Sequence, residues 1–368
     1  MNILILSAST GGGHMRASKA IEGYMTQQNK DINVKIVDSL LYISPILNKT
    51  ITSGYVYLAT KTPKLYGKLY DLTNKEHRLA NFVTRLNNIF ANKLLPLIDD
   101  FRPDVIITTH PFPTEMVSRL KSKGEINIPL ICIMTDYAPH KAWINKKVDA
   151  YIVANDDMVG KMINEGVDVN TIYPYGIPID EVFFEEKEKQ LVLEELGFDK
   201  SLQTILMMAG SFGVTNVFDV YENIIDIDLD FQIILVTGRN QKLYNHFEKI
   251  IDDSPKKTKL IYFTDEINKY MQASDIIITK PGGLTVTEAL ACNIPMAVFD
   301  AIPGQEEENA QFLENAGVGI WLNPKENCDE IITELLNDEN KLNQMRKNTE
   351  LLAKKNSTMD ICRTILPQ

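Results

Sequence analysis

Two hydrophobic rhythms alternate along this chain. Short apolar runs such as Ile3–Leu6, Val105–Ile107 and Ile276–Ile278 are followed by longer stretches in which apolar residues return every three or four positions. The runs predict strands over 2–7, 33–37, 104–108, 129–134, 149–153 and 171–174, then over 203–208, 231–236, 258–263, 275–279 and 295–299. The longer stretches predict helices near 14–28, 112–122 and 155–165, and one after each strand of the second half. Such βα alternation means parallel sheets wound by helices on both faces, an α/β class. One segment, 44–98, breaks the rhythm. From Arg78, the residues Leu79, Phe82, Val83, Leu86, Phe90, Leu94 and Leu97 keep i, i+3, i+4, i+7 spacing, which predicts one amphipathic helix packed on the N-terminal sheet.

Length sets the number of cores. A chain of 368 residues exceeds one ordinary core, so two domains of roughly 150–200 residues are expected. The acidic stretch 181–200 is their expected junction. It divides the chain into an N-terminal domain over 1–180 and a C-terminal domain over 181–368, whose last helix can pack back on the first. No run approaches the ~18 apolar residues of a membrane-spanning helix. The start, MNILILSAST, lacks a basic leader and reads as a first strand. Cys132, Cys292, Cys328 and Cys362 are scattered without a CxxC pair, which suits reduced cytoplasmic thiols better than disulfides or zinc ligands.

Charge narrows the partners. A net charge of −11 argues against nucleic acid. Residues 1–150 nevertheless hold 19 Lys and Arg against 12 Asp and Glu, while the remainder holds 19 against 37. The sharpest block, Tyr42 to Leu95, has 8 basic residues, 2 acidic ones and 7 aromatics, with Lys61, Lys64 and Lys68 at its centre. Basic and aromatic residues together suit an anionic membrane surface, at about 1 kcal/mol per well-placed Lys or Arg.

The candidate chemistry lies in the loops that follow strands. In Lys280–Ala310, KPGGLTVTEALACNIPMAVFDAIPGQEEENA, Gly282 and Gly283 let backbone N–H groups approach a ligand, and the helix start adds its own unpaired N–H groups. That is a phosphate seat. Glu288, Gln305, Glu306 and Asn309 add groups that grip hydroxyls, so the run points to a nucleotide sugar. Two readings of Glu288 stand: its carboxylate holds the ribose, or it closes a T-x-x-E capping box with Thr285. Glu306 and Asn309, three apart on a helix, either face one ligand or belong to a solvated helix start.

Ser9–Ser18, STGGGHMRAS, follows the first strand. Gly12 and Gly13 leave room for a ligand at the edge where open α/β sheets bind them. His14 opens the helix, whose N-terminus disfavours imidazolium and keeps the ring a neutral proton acceptor. The spacing is not GxGxxG, although Asp38 stands close to where a dinucleotide fold keeps its acidic residue. Met208–Gly213, MAGSFG, repeats the strand-and-turn layout with Gly210 and Ser211. Thr135–Trp143, TDYAPHKAW, brings Asp136, His140 and Trp143 near the same kind of edge. The D-x-D pattern in Asp226–Asp230 precedes a strand and so falls at the opposite edge. No His or Cys cluster has ligand spacing, and no metal is expected.

Together, STGGGHMRAS, TDYAPHKAW and KPGGLTVTEAL followed by PGQEEEN resemble the monogalactosyldiacylglycerol synthase and processive diacylglycerol glucosyltransferase family, and more distantly the transferase that forms lipid II. The likeness spans roughly residues 1–350. It implies two Rossmann-like doubly wound domains facing a cleft, the GT-B architecture, and an inverting, metal-independent transferase without cofactor. Its donor would be a UDP-hexose and its acceptor diacylglycerol or glycosylated diacylglycerol. It implies His14 as base or the base's partner, with Asp136 assisting. Gly12 and Gly13 would line the phosphates or the acceptor, Gly210 and Ser211 would approach the phosphates, and the backbone near Phe263 and Thr264 would face the uracil. Gly282, Gly283 and Thr285 would seat the diphosphate, Glu288 the ribose, and Gln305, Glu306 and Asn309 the sugar. Met15 stands between His14 and Arg16, where the family motif runs directly to Arg. PGGLT replaces the turn of the plant galactosyl enzymes, which favours the bacterial glucosyl branch. A cytoplasmic enzyme, peripheral on the inner face of the membrane, is expected. A UDP-sugar epimerase or a non-catalytic UDP-sugar-binding protein that docks on membranes are the competing readings.

Overall fold

The structure is a computed structural model that describes residues 1–9, 12–45, 90–209, 216–324 and 326–365. Lys61, Lys64, Lys68, Gly210, Ser211 and most of the helix expected from Arg78 lie outside the described residues. The chain divides into two compact units. The first comprises Met1–Asp180, Pro303–Gln305 and Asn356–Gln368; the second comprises Glu181–Ile302 and Glu306–Lys355.

The first unit is built on six parallel strands: β1 (Asn2–Ser7), β2 (Asn33–Asp38), β3 (Val105–Thr108), β4 (Leu130–Ile133), β5 (Ala150–Ile152) and β6 (Ile172–Tyr173). Their spatial order is β2-β1-β3-β4-β5-β6. Period-two alternation splits each strand between two cores. Ile3 and Ile5 pack with Ile21 and Met25 of the helix Gly12–Gln28, and with Ile361, Cys362 and Ile365 of the last helix, Ser357–Ile365. Leu4 and Leu6 face the other way, onto Leu97, Ile98, Met116, Val117 and Leu120. Burying each such side chain is worth about 1.5–3 kcal/mol. Thr358 Oγ1 donates to the Ile179 carbonyl at 2.9 Å, which fixes the last helix to the end of the unit's main run.

The described end of the amphipathic segment, from Phe90, packs on the sheet as its pattern says, but the helix does not continue unbroken to Leu97. The chain turns at Lys93 and Leu94, and a new helix, Leu95–Phe101, begins with Pro96 in its first turn. Proline has no N–H to continue the preceding helix but fits a helix start. Ala91, Leu94, Leu97 and Ile98 are all buried against Leu4, Leu6 and Ile106.

The second unit repeats the plan with β7 (Gln203–Met208), β8 (Phe231–Val236), β9 (Thr258–Ile261), β10 (Ile276–Thr279), β11 (Met296–Val298) and β12 (Gly319–Trp321), in the order β12-β11-β10-β7-β8-β9, all parallel. Ile205, Met207, Ile233, Leu235, Ile276 and Ile278 form its core with Val220, Tyr221, Ile332 and Leu335 from the flanking helices. β12 was not expected from the sequence; three residues opened by a glycine carry too little pattern. At the opposite, N-terminal edge, Asp275 pairs with Lys189 at 2.7 Å and Arg346 at 2.9 Å, and accepts from Thr204 N–H at 2.9 Å. The acidic turn Asp226–Asp230 lies at that same edge, before β8.

Strand order locates the ligand edges. In the first sheet the chain reverses its direction of growth between β1 and β3; in the second it does so between β7 and β10. Ligands of open α/β sheets bind beyond the C-terminal ends of the strands at such a switch point.

Candidate functional site

In the first unit the switch point is occupied by a polar cluster built from three strand ends. After β1, the helix Gly12–Gln28 sets His14 in its first turn. After β3, His110 caps the helix Pro111–Lys123, its Nδ1 accepting from Phe112 N–H at 3.1 Å. The neutral ring therefore carries its proton on Nε2. The two imidazoles meet edge to face with centroids 4.7 Å apart. After β4, the Thr135 hydroxyl lies 2.8 Å from His14 Nδ1. Beneath them Thr109 Oγ1 donates to Ser7 Oγ at 2.8 Å and lies 3.0 Å from Ser18 Oγ. The ring of His14 is thus held from two sides, by Thr135 and by the Thr109 backbone.

This setting makes His14 neutral. Burial lowers its pKa from 6.5 to about 4, partly offset by the hydrogen bond to the Thr109 backbone. Burial, and then the charge His14 would carry, hold His110 well below the ordinary histidine range. Both rings are half-buried, and this loss of water acts beside the helix terminus invoked from the sequence.

The segment TDYAPHKAW reaches the same edge, and Thr135 joins the members expected there. The partner of His14 Nδ1 is Thr135; Asp136, the next residue, is buried. His140 is also buried and caps a short 3-10 turn, accepting from Ala142 N–H at 3.0 Å. Trp143, at the end of that turn, lies 6.3 Å from the His14 ring. Asp38 is committed elsewhere. Its carboxylate accepts from Ser9 Oγ at 2.5 Å and Ser9 N–H at 3.1 Å, and its other oxygen caps the helix Ser39–Ile43. It ties the first loop down, so it is not placed as the ribose acceptor of a dinucleotide fold.

In the second unit the switch point carries the glycine turn. β10 ends at Thr279, and the helix Gly283–Ala291 begins four residues later with Gly282 at its N-cap. Gly282 has an ordinary φ of −71°, and a Cβ built on it meets no atom within 4 Å. Neither backbone conformation nor internal packing demands glycine here, so its small size leaves open space beside the helix N-terminus. A Cβ at Gly12, at the first unit's ligand edge, likewise meets nothing within 4 Å.

Of the two readings of Glu288, the capping box with Thr285 does not form. The helix starts two residues before Thr285, and its N-cap makes no side-chain hydrogen bond. Glu288 lies more than a turn inside the helix, at only 2% exposure. Of the polar run that follows, Gln305 is half-buried at the start of the helix Gln305–Asn315. Glu306 Oε2 lies 3.1 Å from Lys280 Nζ and accepts from Ile302 N–H at 2.8 Å. Asn309 is fully buried and donates from Nδ2 to the Pro281 carbonyl at 2.9 Å. Beyond β9, Phe263 is exposed with the Arg239 guanidinium 4.3 Å over its ring, and Thr264 Oγ1 accepts from Glu266 N–H at 2.9 Å.

Three groups at these edges were missed from the sequence. His110 and Thr135 follow strands and were legible by that rule, but neither sits beside glycines. Asp300, just after β11, adopts a φ of 51° and binds Asn216 through both the backbone N–H, at 2.9 Å, and the side chain. Only tertiary structure brings those two residues together. Among the described residues, no group of three or more His, Cys, Asp or Glu side chains could hold a metal ion. No described helix is long and apolar enough to cross a membrane.

Residues 14–179 match the family model described as monogalactosyldiacylglycerol (MGDG) synthase, and residues 204–363 match the glycosyltransferase family 28 C-terminal domain. A processive diacylglycerol beta-glucosyltransferase of Staphylococcus carnosus (strain TM300) is 32% identical over 371 residues, covering 99% of this chain and 92% of that protein. The chain belongs to this MGDG synthase and diacylglycerol glucosyltransferase family. It is a glycosyltransferase, and the first matched segment opens on His14. Among solved structures, Acinetobacter baumannii MurG is 16% identical with a TM-score of 0.66, covering 99% of both chains. The UDP-GlcNAc 2-epimerase of Neisseria meningitidis, bound to UDP-GlcNAc, is 14% identical with a TM-score of 0.61, again over 99% of both. These likenesses show the two-domain GT-B fold, which transferases and epimerases share; the sequence relatives decide between them.

Proposed function

We propose that this glycosyltransferase moves glucose from UDP-glucose to the 3-hydroxyl of diacylglycerol, by a single inverting displacement without a metal ion, at the inner face of the membrane. The observation that carries the reading is His14, a neutral imidazole held at a switch point by the Thr135 hydroxyl and the Thr109 backbone. It accepts the acceptor's hydroxyl proton as that oxygen attacks the anomeric carbon. UDP departs as an anion. Its growing charge is met by the Gly283, Leu284 and Thr285 N–H groups at the start of the helix, the Gly282 N–H being held by the Lys280 carbonyl at 2.9 Å, in the role a metal would otherwise fill. Glu288 accepts from the ribose hydroxyls. Phe263 and Thr264 sit beside the uracil, and Gln305 contacts the hexose. The full-length relatives named for diacylglycerol support the acceptor, and a structural neighbour bound to UDP-GlcNAc supports the donor class.

The test is mass analysis of lipids formed from diacylglycerol with UDP-glucose and with UDP-galactose in turn. Glucosyl-diacylglycerol with stoichiometric UDP release is expected. A new free UDP-sugar that forms without lipid would instead support the epimerase reading, which the shared fold alone allows. Tight UDP-sugar binding without lipid-dependent UDP release would support the non-catalytic one.

A further inference from the structure

We infer that Glu306 and Asn309 act on the donor through the Lys280–Gly283 turn, as positioning residues, and that Glu306 does not read the sugar. The inference rests on the donor-site reading above and assigns two of its residues a different task. Both lie on the helix Gln305–Asn315, three positions apart, and both reach back to the turn that follows β10. One oxygen of Glu306 holds two groups at once: the Lys280 ammonium at 3.1 Å and the Ile302 N–H at 2.8 Å. It therefore joins the end of β10 to the loop before its own helix. Asn309, with no exposed surface, holds the Pro281 carbonyl at 2.9 Å.

The side chain of Lys280 and the carbonyl of Pro281 bracket the peptide link that leads into Gly282. The Gly282 N–H donates to the Lys280 carbonyl at 2.9 Å, so the turn that delivers the Gly283 N–H to the helix start is closed by its own backbone and braced by two side chains from another helix. Lys280 is 7% exposed. Burying a charged group is costly unless it is paired and hydrogen-bonded, and Glu306 supplies that pairing two residues from the proposed seat of a diphosphate. Glu306 sets where that positive charge lies. A carboxylate engaged with a cation and an amide through one oxygen is a brace for the turn, and its loss should be felt by the diphosphate whichever hexose is attached.

Calorimetric titration of UDP alone, UDP-glucose and UDP-galactose into the full-length enzyme and into Glu306→Gln, Lys280→Met and the double variant tests this. Each single variant is expected to weaken binding of UDP alone by about tenfold, equivalent to ~1.4 kcal/mol. The double variant should bind no more weakly than the worse single one, because one device has been removed once. The ratio of kcat/KM for glucose over galactose should not change. Wild-type UDP affinity in Glu306→Gln with an altered sugar ratio would make Glu306 a sugar reader and overturn the inference. So would additive losses in the double variant. A wild-type enzyme that binds no UDP refutes the donor reading itself, a separate failure. Should a single variant fail to fold by circular dichroism, Lys280→Met with Glu306→Leu replaces the pair by apolar groups, a change buried pairs often tolerate. It must then show the same loss of UDP affinity at an unchanged sugar ratio.

Discussion

The neutral state of His14 makes its sharpest prediction in acid. Burial takes the imidazole from 6.5 to about 4. At 1.36 kcal/mol per pH unit, that favours the neutral ring by ~3 kcal/mol. Between those two values the folded protein binds fewer protons at His14 than the unfolded chain does. Its contribution to stability is therefore fully present above pH 6.5 and is lost as pH falls toward about 4. His110, also lowered, acts in the same direction. For catalysis the consequence is a base that stays ready well below neutrality. The assay is kcat/KM for glycosyl transfer from about pH 8 down to about pH 4, with a urea melt at each point to show that the protein is folded. The profile should run flat through the ordinary histidine range and bend only as pH approaches 4. His14→Ala should cut turnover by about 10²–10⁴-fold while leaving UDP affinity intact. An acid limb centred near 6.5 in a folded enzyme, or an unchanged turnover number in the variant, refutes the argument.

Other expectations test the donor edge and the scaffold separately. Gly282→Ala meets open space, so stability should change by no more than ~1 kcal/mol while UDP affinity falls; calorimetry and a thermal melt on the same sample check both, and retained affinity would mean that no ligand uses that space. Glu288→Gln should weaken UDP by about 10- to 100-fold, the worth of ~1.5–3 kcal/mol for hydrogen bonds to a charged group; equal UDP affinity would remove Glu288 from the ribose. Asp275→Asn strands Lys189 and Arg346 at the far edge of the sheet, so urea melts should show a loss of about 2–4 kcal/mol with UDP affinity unaltered. Replacing Lys61, Lys64 and Lys68 by Gln should weaken flotation with anionic vesicles by about 1 kcal/mol per charge, with a shallower salt dependence; identical salt curves would rule out the basic patch.

Where pattern and chemistry were local, the sequence was enough. The apolar runs of β1, β7, β8 and β10 sit where their spacing puts them, because a strand buried on both faces favours apolar side chains and admits a polar one only with a partner, as Gln232 donates to Thr204 Oγ1 at 3.0 Å. The two glycine loops were visible for a similar reason: a turn at a strand's end that must stay open cannot carry bulk. The break at Lys93 and Leu94 was not visible, although Pro96 marked it, because the apolar spacing runs through the turn unaltered. Likewise Thr285 and Glu288 have the spacing of a capping box, but where a helix starts depends on how the preceding strand delivers the chain, and here that is Gly282.

The sequence by itself determined the class of the fold, the glycine turn after β10, a histidine after the first glycine loop, and the family. These depend on residue type and short-range spacing, which the chain carries wherever it folds. Only the tertiary structure decided which groups meet. His14 is joined to Thr135 across 121 positions and Lys280 to Glu306 across 26, and Asp38 is drawn away to Ser9. Strand order sets those meetings. The same order buries His14 enough to hold its proton affinity down. Burial belongs to the assembled sheet, and no stretch of sequence contains it.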